Sequence, residues 1–145
     1  MTGIRDLSVL PSFMNLKKAV TAVGWLERGM EYPKGPVSEE FFAALVRLCV
    51  NPWQPAAAAG RHPCSFCQFS GGPATVTYRG MTVLMGAANV YVPASDCIFV
   101  APSLIVHYVD AHEYQPPAAF QCAVMECPEM RSLAYLTQLK SHGFP

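Results

Sequence analysis

Two pairs of candidate ligands, far apart along the chain, restrict its folding more than any other feature. Cys64 and Cys67 stand as C-x2-C within HPCSFC, and His107 and His112 stand as H-x4-H within HYVDAHEY. Backbone geometry lets both sulfurs of such a cysteine pair face one tetrahedral ion, and histidines three to five residues apart are recurrent partners. Thirty-nine residues separate the pairs, against about 12 in a simple zinc finger. A shared ion therefore requires the intervening segment to fold as an insert whose two ends return to one point. The histidine spacing adds a second condition. At about 100° per residue, positions five apart diverge by about 140° on an ideal helix. Both rings reach one ion only if the helix loosens near its end, and residues 113–116 are where it is expected to stop.

The insert reads as strands. In GGPATVTYRGMTVLMGAANVYVP, short β-branched and aromatic runs alternate with glycine, which predicts strands over 75–78, 81–85, 89–92 and 97–100, with tight turns at Arg79-Gly80 and near Gly86. Strands this closely spaced imply a small antiparallel sheet. Helices flank it. Ser38 is an N-cap followed by Glu39 and Glu40, where the helix dipole favours anions. Phe41, Phe42, Leu45, Leu48 and Cys49 then form an apolar stripe that Asn51-Pro52 ends. After the sheet, APSLIVHYVDAHEY predicts a helix with Pro102 in its first turn. A second helix is expected in PPAAFQCAVMEC. A third, opened by Pro128, carries Met130, Leu133, Leu136 and Leu139, with His142-Gly143 as its stop. The first 36 residues read as a leader with a short helix ending near Gly29, in which Trp25 and Leu26 anchor packing. Residues 37–145 then form a single α+β domain with a zinc-knuckle or treble-clef-like site.

Composition narrows the function. Lysine plus arginine equals aspartate plus glutamate at 10 each, which argues against a protein devoted to neutralising phosphates, so nucleic acid is not the expected partner. Hydrophobic residues make up 52% and charged residues 14%, below the roughly 25% charged of an average soluble domain. Surface this poor in charge implies apolar area covered by a protein partner or a second copy. No apolar run reaches the 18 or so residues of a membrane span, and the first twenty lack the order of a signal peptide. A cytoplasmic location is the default, where the six cysteines stay reduced and metal or core roles outrank disulfides.

A zinc ion held by Cys64, Cys67, His107 and His112 is the leading expectation, weighed against a metal-free core, a redox pair and other ligands. His62 competes for a ligand position, although Pro63 restricts it. Cys49, Cys97, Cys122 and Cys127 are expected to pack as small hydrophobes, with Cys127 before Pro128 placed where a thiol pKa is lowered. A thioredoxin-like reading wants a helix after C-x2-C, and QFSGGPATV follows instead. Four protein ligands favour a closed, structural zinc. The alternative is a small zinc-dependent hydrolase with Asp110 or Glu113 as base toward metal-bound water. HYVDAHEY is not H-E-x-x-H, and phosphate-loop and nucleophile-elbow patterns are absent. A non-catalytic binding or regulatory module is preferred.

GWL near the start, HPCSFC, NVYVP, APSLIVHYVDAHEYQPPAAFQCAV and a final CPEM…YL together resemble a family of small bacterial proteins of unknown function. The resemblance spans residues 24–139, with HYVDAHEYQPP its most specific part. It implies that the cysteine pair and His107/His112 belong to one recurring design, and it implies no activity. The segment before Gly24 and the alanine tract at 56–59 depart from it.

Overall fold

The structure, a computed structural model, describes residues 3–10, 19–54, 63–67 and 70–143. In chain order these form β1 (Ala19–Ala22), α1 (Glu39–Cys49), β2 (Thr75–Tyr78), β3 (Met81–Leu84), β4 (Asn89–Pro93), β5 (Cys97–Pro102), α2 (Ile105–Ala111), α3 (Ala118–Glu126) and α4 (Leu133–Ser141). The class is α+β, as the sequence implies.

The four expected strands are present, but they divide between two sheets. β2 and β3 form a separate antiparallel hairpin, closed by Arg79 and Gly80, both at positive φ, a mirror-image turn that matches strand twist. β4 and β5 pair antiparallel, and β1 joins β5 in parallel, giving the order β1-β5-β4. The short helix expected in the first 36 residues is therefore corrected to a strand. AVTA is too short to show a helical or strand period, and its pairing with residues 97–100 decides the outcome.

β5 is central and buried along nearly its whole length, and its alternating residues feed two cores. Phe99 and Ala101, with Val90 and Val92 of β4, face α1, α2 and α3. Ile98 and Val100, with Tyr91, face Trp25 and α4. Period-two alternation thus puts helices on both faces of one small sheet. On the first face Phe120 meets Phe41 and Phe99 edge-on, at centroid distances of 6.4 and 5.6 Å, joining α3 to α1 and to the sheet. The outer edge of β4 is closed by side chains. Gln54 bonds the Asn89 carbonyl, Tyr135 donates to the Tyr91 carbonyl at 2.6 Å, and Pro93 has no N–H to offer. These are ordinary devices against strand addition at an edge.

Helix α1 matches its signals. Ser38 Oγ accepts from the Phe41 amide at 3.1 Å, and Phe41, Leu45, Leu48 and Cys49 are buried. Burial raises the Cys49 thiol to about 12. Three expectations are corrected. Pro102 closes β5, so α2 begins three residues later. Ser132, not Pro128, caps α4, whose buried residues are Tyr135 and Leu139, while Leu133 is 82% exposed. Cys122 is exposed rather than packed, and burial pushes the Cys127 thiol up to about 12 rather than down. Trp25 and Leu26 are buried as anchors, the indole N–H donating to the Val100 carbonyl. No helix among the described residues is long and apolar enough to cross a membrane.

Candidate metal centre

The cysteine pair sits in a tight loop. The Cys67 amide donates to the Cys64 carbonyl at 3.3 Å, the Cys64 amide to the Gly71 carbonyl at 2.6 Å, and the Gly71 amide to the Cys67 carbonyl at 2.9 Å. Backbone amides of Phe66 and Cys67 also lie against the Cys64 sulfur, where they favour the thiolate. A loop this tight lets both sulfurs of a C-x2-C pair face one ion.

The histidines come from α2, His107 from its first turn and His112 from its end. His107 lies within the helix and is 5% exposed. His112 is the C-cap, with φ −118° and ψ 16°, outside helical values. The expected loosening occurs at the second histidine itself, and this lets both rings turn to the same side. Glu113, at φ 59°, then takes the left-handed conformation and sends the chain away.

The four ligand atoms all lie within 4.8 Å of one another. His107 Nε2 and His112 Nε2 are 3.2 Å apart. Cys67 Sγ is 3.3 Å from His107 Nε2 and 3.6 Å from His112 Nε2, and Cys64 Sγ is 3.5 Å from His112 Nε2. The structure thus brings together all four residues singled out in the sequence, and the cluster could hold a metal ion. The competing His62 lies outside the described residues.

Chemistry supports the fit. Burial lowers the His107 pKa, with His112 adding to the shift and Asp110 opposing it. Burial also lowers His112. Both rings therefore favour the neutral form that carries a lone pair. Two such nitrogens at 3.2 Å, beside two sulfurs, direct their lone pairs toward one point once the thiol protons are released. A cation there relieves that arrangement, and the mixed nitrogen and sulfur donors suit a transition metal rather than a hard, oxygen-seeking ion.

Aromatic rings enclose the cluster. Phe66, between the cysteines, contacts His112 at a centroid distance of 5.1 Å, Tyr32 at 5.5 Å and Tyr108 at 5.9 Å. Tyr32 OH donates to the His112 carbonyl at 3.0 Å. Gly72 covers another side. A Cβ on it would lie 3.1 Å from Cys64 Cβ and 3.5 Å from His107 Nε2. A cavity of about 400 Å³ beside the loop is walled by residues that include Pro63, Gly71, Gly72 and Leu104. None of the four clustered residues is among the described residues of its wall. Asp110 and Glu113 lie outside the ring of donors, with Asp110 exposed at the helix end. Sequence reasoning missed Phe66, Tyr32 and Gly72, and the only local signal is the Gly71-Gly72 doublet, which reads as turn punctuation.

The protonation states set the direction of a pH effect. A metal takes cysteine as thiolate and histidine as the neutral ring. Burial raises the Cys64 thiol above its ordinary value near 9.0, so at neutral pH that thiol holds a proton which binding must release. Metal affinity is expected to fall as pH falls, about tenfold per unit for each proton released. Competition with a chromophoric chelator at about pH 6 and pH 8 measures this. Equal affinity at both would show that no thiol proton is lost.

Fold and cluster together define a small α+β domain with a Cys2His2 group able to hold a metal ion. The chain belongs to the family described as a domain of unknown function (DUF7919), whose profile matches residues 2–125. The matched span includes β1 and all four clustered residues, and it ends within α3, before α4. No curated protein and no solved structure matches the chain.

Proposed function

We propose that Cys64, Cys67, His107 and His112 hold one zinc ion as a structural clasp, and that the domain acts without catalysis, by binding another protein or a second copy of itself. The observation that carries this reading is the spacing of the donor atoms. With bonds of about 2.3 Å to sulfur and about 2.0–2.1 Å to nitrogen, a tetrahedral zinc site has edges of about 3.3 Å between nitrogens and about 3.6 Å between nitrogen and sulfur. Four of the cluster's six edges match, at 3.2 Å and 3.3–3.6 Å, and all six lie within 4.8 Å. Four protein donors fill a tetrahedral shell, whereas a catalytic zinc keeps one position for water.

The binding role draws support from the surface. Formal net charge is zero, and Leu133, Val9 and Leu84 are 82%, 67% and 59% exposed. The free state of the six cysteines agrees with a reducing cytoplasm.

Cobalt substitution tests the closed shell. Co²⁺ in place of zinc gives visible bands characteristic of four-coordinate sulfur and nitrogen ligation. Added azide is expected to leave those bands unchanged. A shift on azide addition would reveal an open position and move the reading to hydrolysis by metal-bound water, with Asp110 or Glu113 as base.

A further inference from the structure

The segment before β1 is laid along the outer edge of that strand. Leu7 N donates to Ala22 O at 2.7 Å, Ala22 N to Ser8 O at 2.8 Å and Leu10 N to Val20 O at 2.8 Å, with an antiparallel bridge between Val9 and Thr21. The inner edge is already used, since β1 pairs with β5 and Val23 N donates to Val100 O. Residues 7–10 therefore cover a sheet edge that would otherwise be open. Little apolar burial holds them there. Leu7 and Val9 are 49% and 67% exposed, and the apolar anchors of the segment are Ile4 and Leu10, both only half-buried. An element with few buried apolar contacts and mainly backbone bonds opens at low free-energy cost.

Side chains add two ties: Gly3 N donates to Glu27 Oε2 at 2.8 Å, and the second leads to the metal cluster. Asp6 accepts from Tyr114 OH at 2.7 Å and from the Gly24 amide at 3.0 Å. Tyr114 is fully buried and stands two residues after His112. Its amide shares the Tyr108 carbonyl with the His112 amide, at 3.2 and 3.0 Å. Its ring meets Tyr32 at 6.0 Å, and Tyr32 in turn packs on Phe66 of the knuckle and bonds the His112 carbonyl. The phenol that fixes Asp6 is thus positioned by the backbone turn and the aromatic group that the four clustered residues organise.

We propose that metal binding at the Cys2His2 cluster fastens residues 3–10 onto the edge of β1 through Tyr114 and Asp6, so that loss of the metal loosens this cover. The proposal rests on the reading that the cluster is metal-loaded. A ligand at His112 fixes the turn at Glu113, the turn fixes Tyr114, and Tyr114 supplies the donor that keeps Asp6 over Gly24. Without the ion, the turn and the knuckle lose their common point, and the hold of Tyr114 on Asp6 weakens.

Hydrogen exchange followed residue by residue tests the coupling, using the purified metal-loaded chain, the same chain after chelation, and metal-loaded Tyr114→Phe. The amides of Leu7, Leu10 and Ala22 are expected to exchange at least about tenfold faster after chelation, the effect of losing one hydrogen bond to a charged group. The Val23 amide, on the inner edge, should change less. Tyr114→Phe should retain its metal and show the same acceleration at the three amides, with no further increase on chelation. If chelation removes the metal and the three amides stay protected, or if Tyr114→Phe protects them as well as tyrosine does, the proposal is overturned while the metal site stands. If metal analysis finds no ion taken up at all, the metal reading fails first and this coupling with it.

Discussion

Cys64→Ser is expected to purify with little bound metal and to unfold at a temperature roughly 8–20 °C lower than the unaltered chain, measured by calorimetry alongside elemental analysis. The size of the shift follows from linkage. A ligand present at about a thousand times its dissociation constant stabilises the folded state by about 4 kcal/mol, and a chain of this size loses roughly 2–5 °C per kcal/mol. Serine preserves most of the side-chain volume, so packing around the buried Cys64 is little altered. The change removes a soft thiolate donor and leaves three ligands.

The loss should stop short of the full unfolding seen when small zinc fingers lose metal. Here a core of its own persists in Phe41, Leu45, Phe99, Ile105 and Phe120, all buried beyond the cluster. Chelation of the unaltered protein should reproduce the shift, and Cys122→Ser, at an exposed thiol, should leave both metal content and melting temperature as they were. A Cys64→Ser protein with full metal content and an unchanged melting temperature would falsify the clasp.

The candidate site is the most legible part of the sequence because each half of it is local. A C-x2-C pair closes its own loop, and the second histidine lies where helix-ending residues are already visible. His112 is indeed the C-cap of α2, which reconciles the divergence of about 140° on an ideal helix with two rings whose nitrogens are 3.2 Å apart. Strands β2 to β5 are legible for a similar reason, since glycine and turn residues bracket each β-branched run.

What escapes depends on partners distant in the chain. β1 is a strand because residues 97–100 lie beside it, and nothing within AVTA announces this. The division of the strands into two sheets has the same origin. In α4, the row at every third position puts Leu133 inward, whereas Ser132 as N-cap and the Tyr135 hydroxyl bound to Tyr91 orient the helix with Leu133 outward. Phe66 and Gly72 are unreadable as parts of the site. Their role is contact with rings and side chains supplied from elsewhere in the fold.

Gly72→Ala is expected to cost about 2–5 kcal/mol of stability and to weaken metal binding about 10–100-fold, the range seen when groups supporting a ligand are changed. Two effects add. Gly72 has φ +95°, a conformation that side-chain-bearing residues adopt at a cost of about 1–2 kcal/mol. The new Cβ would also press on Cys64 Cβ at 3.1 Å, with His107 Nε2 at 3.5 Å behind it. Cys64 is tied to the loop through its amide and His107 to a buried helix, so neither can yield without disturbing the donor distances.

Gly29 separates the two effects. It has the same φ of +95°, and a Cβ added there would meet nothing within 4 Å. Gly29→Ala therefore carries the backbone strain alone, about 1–2 kcal/mol, and should leave metal affinity unchanged. The difference between the two alanine variants, read by chemical denaturation and by metal competition, isolates the contact at the cluster. Equal stability losses and equal affinities in both would mean that Gly72 serves only the turn and that the ligands have room to shift. A loss of affinity confined to Gly72→Ala would identify that glycine as a wall of the metal site, required there because any larger residue occupies space that the Cys64 and His107 side chains need to meet one ion.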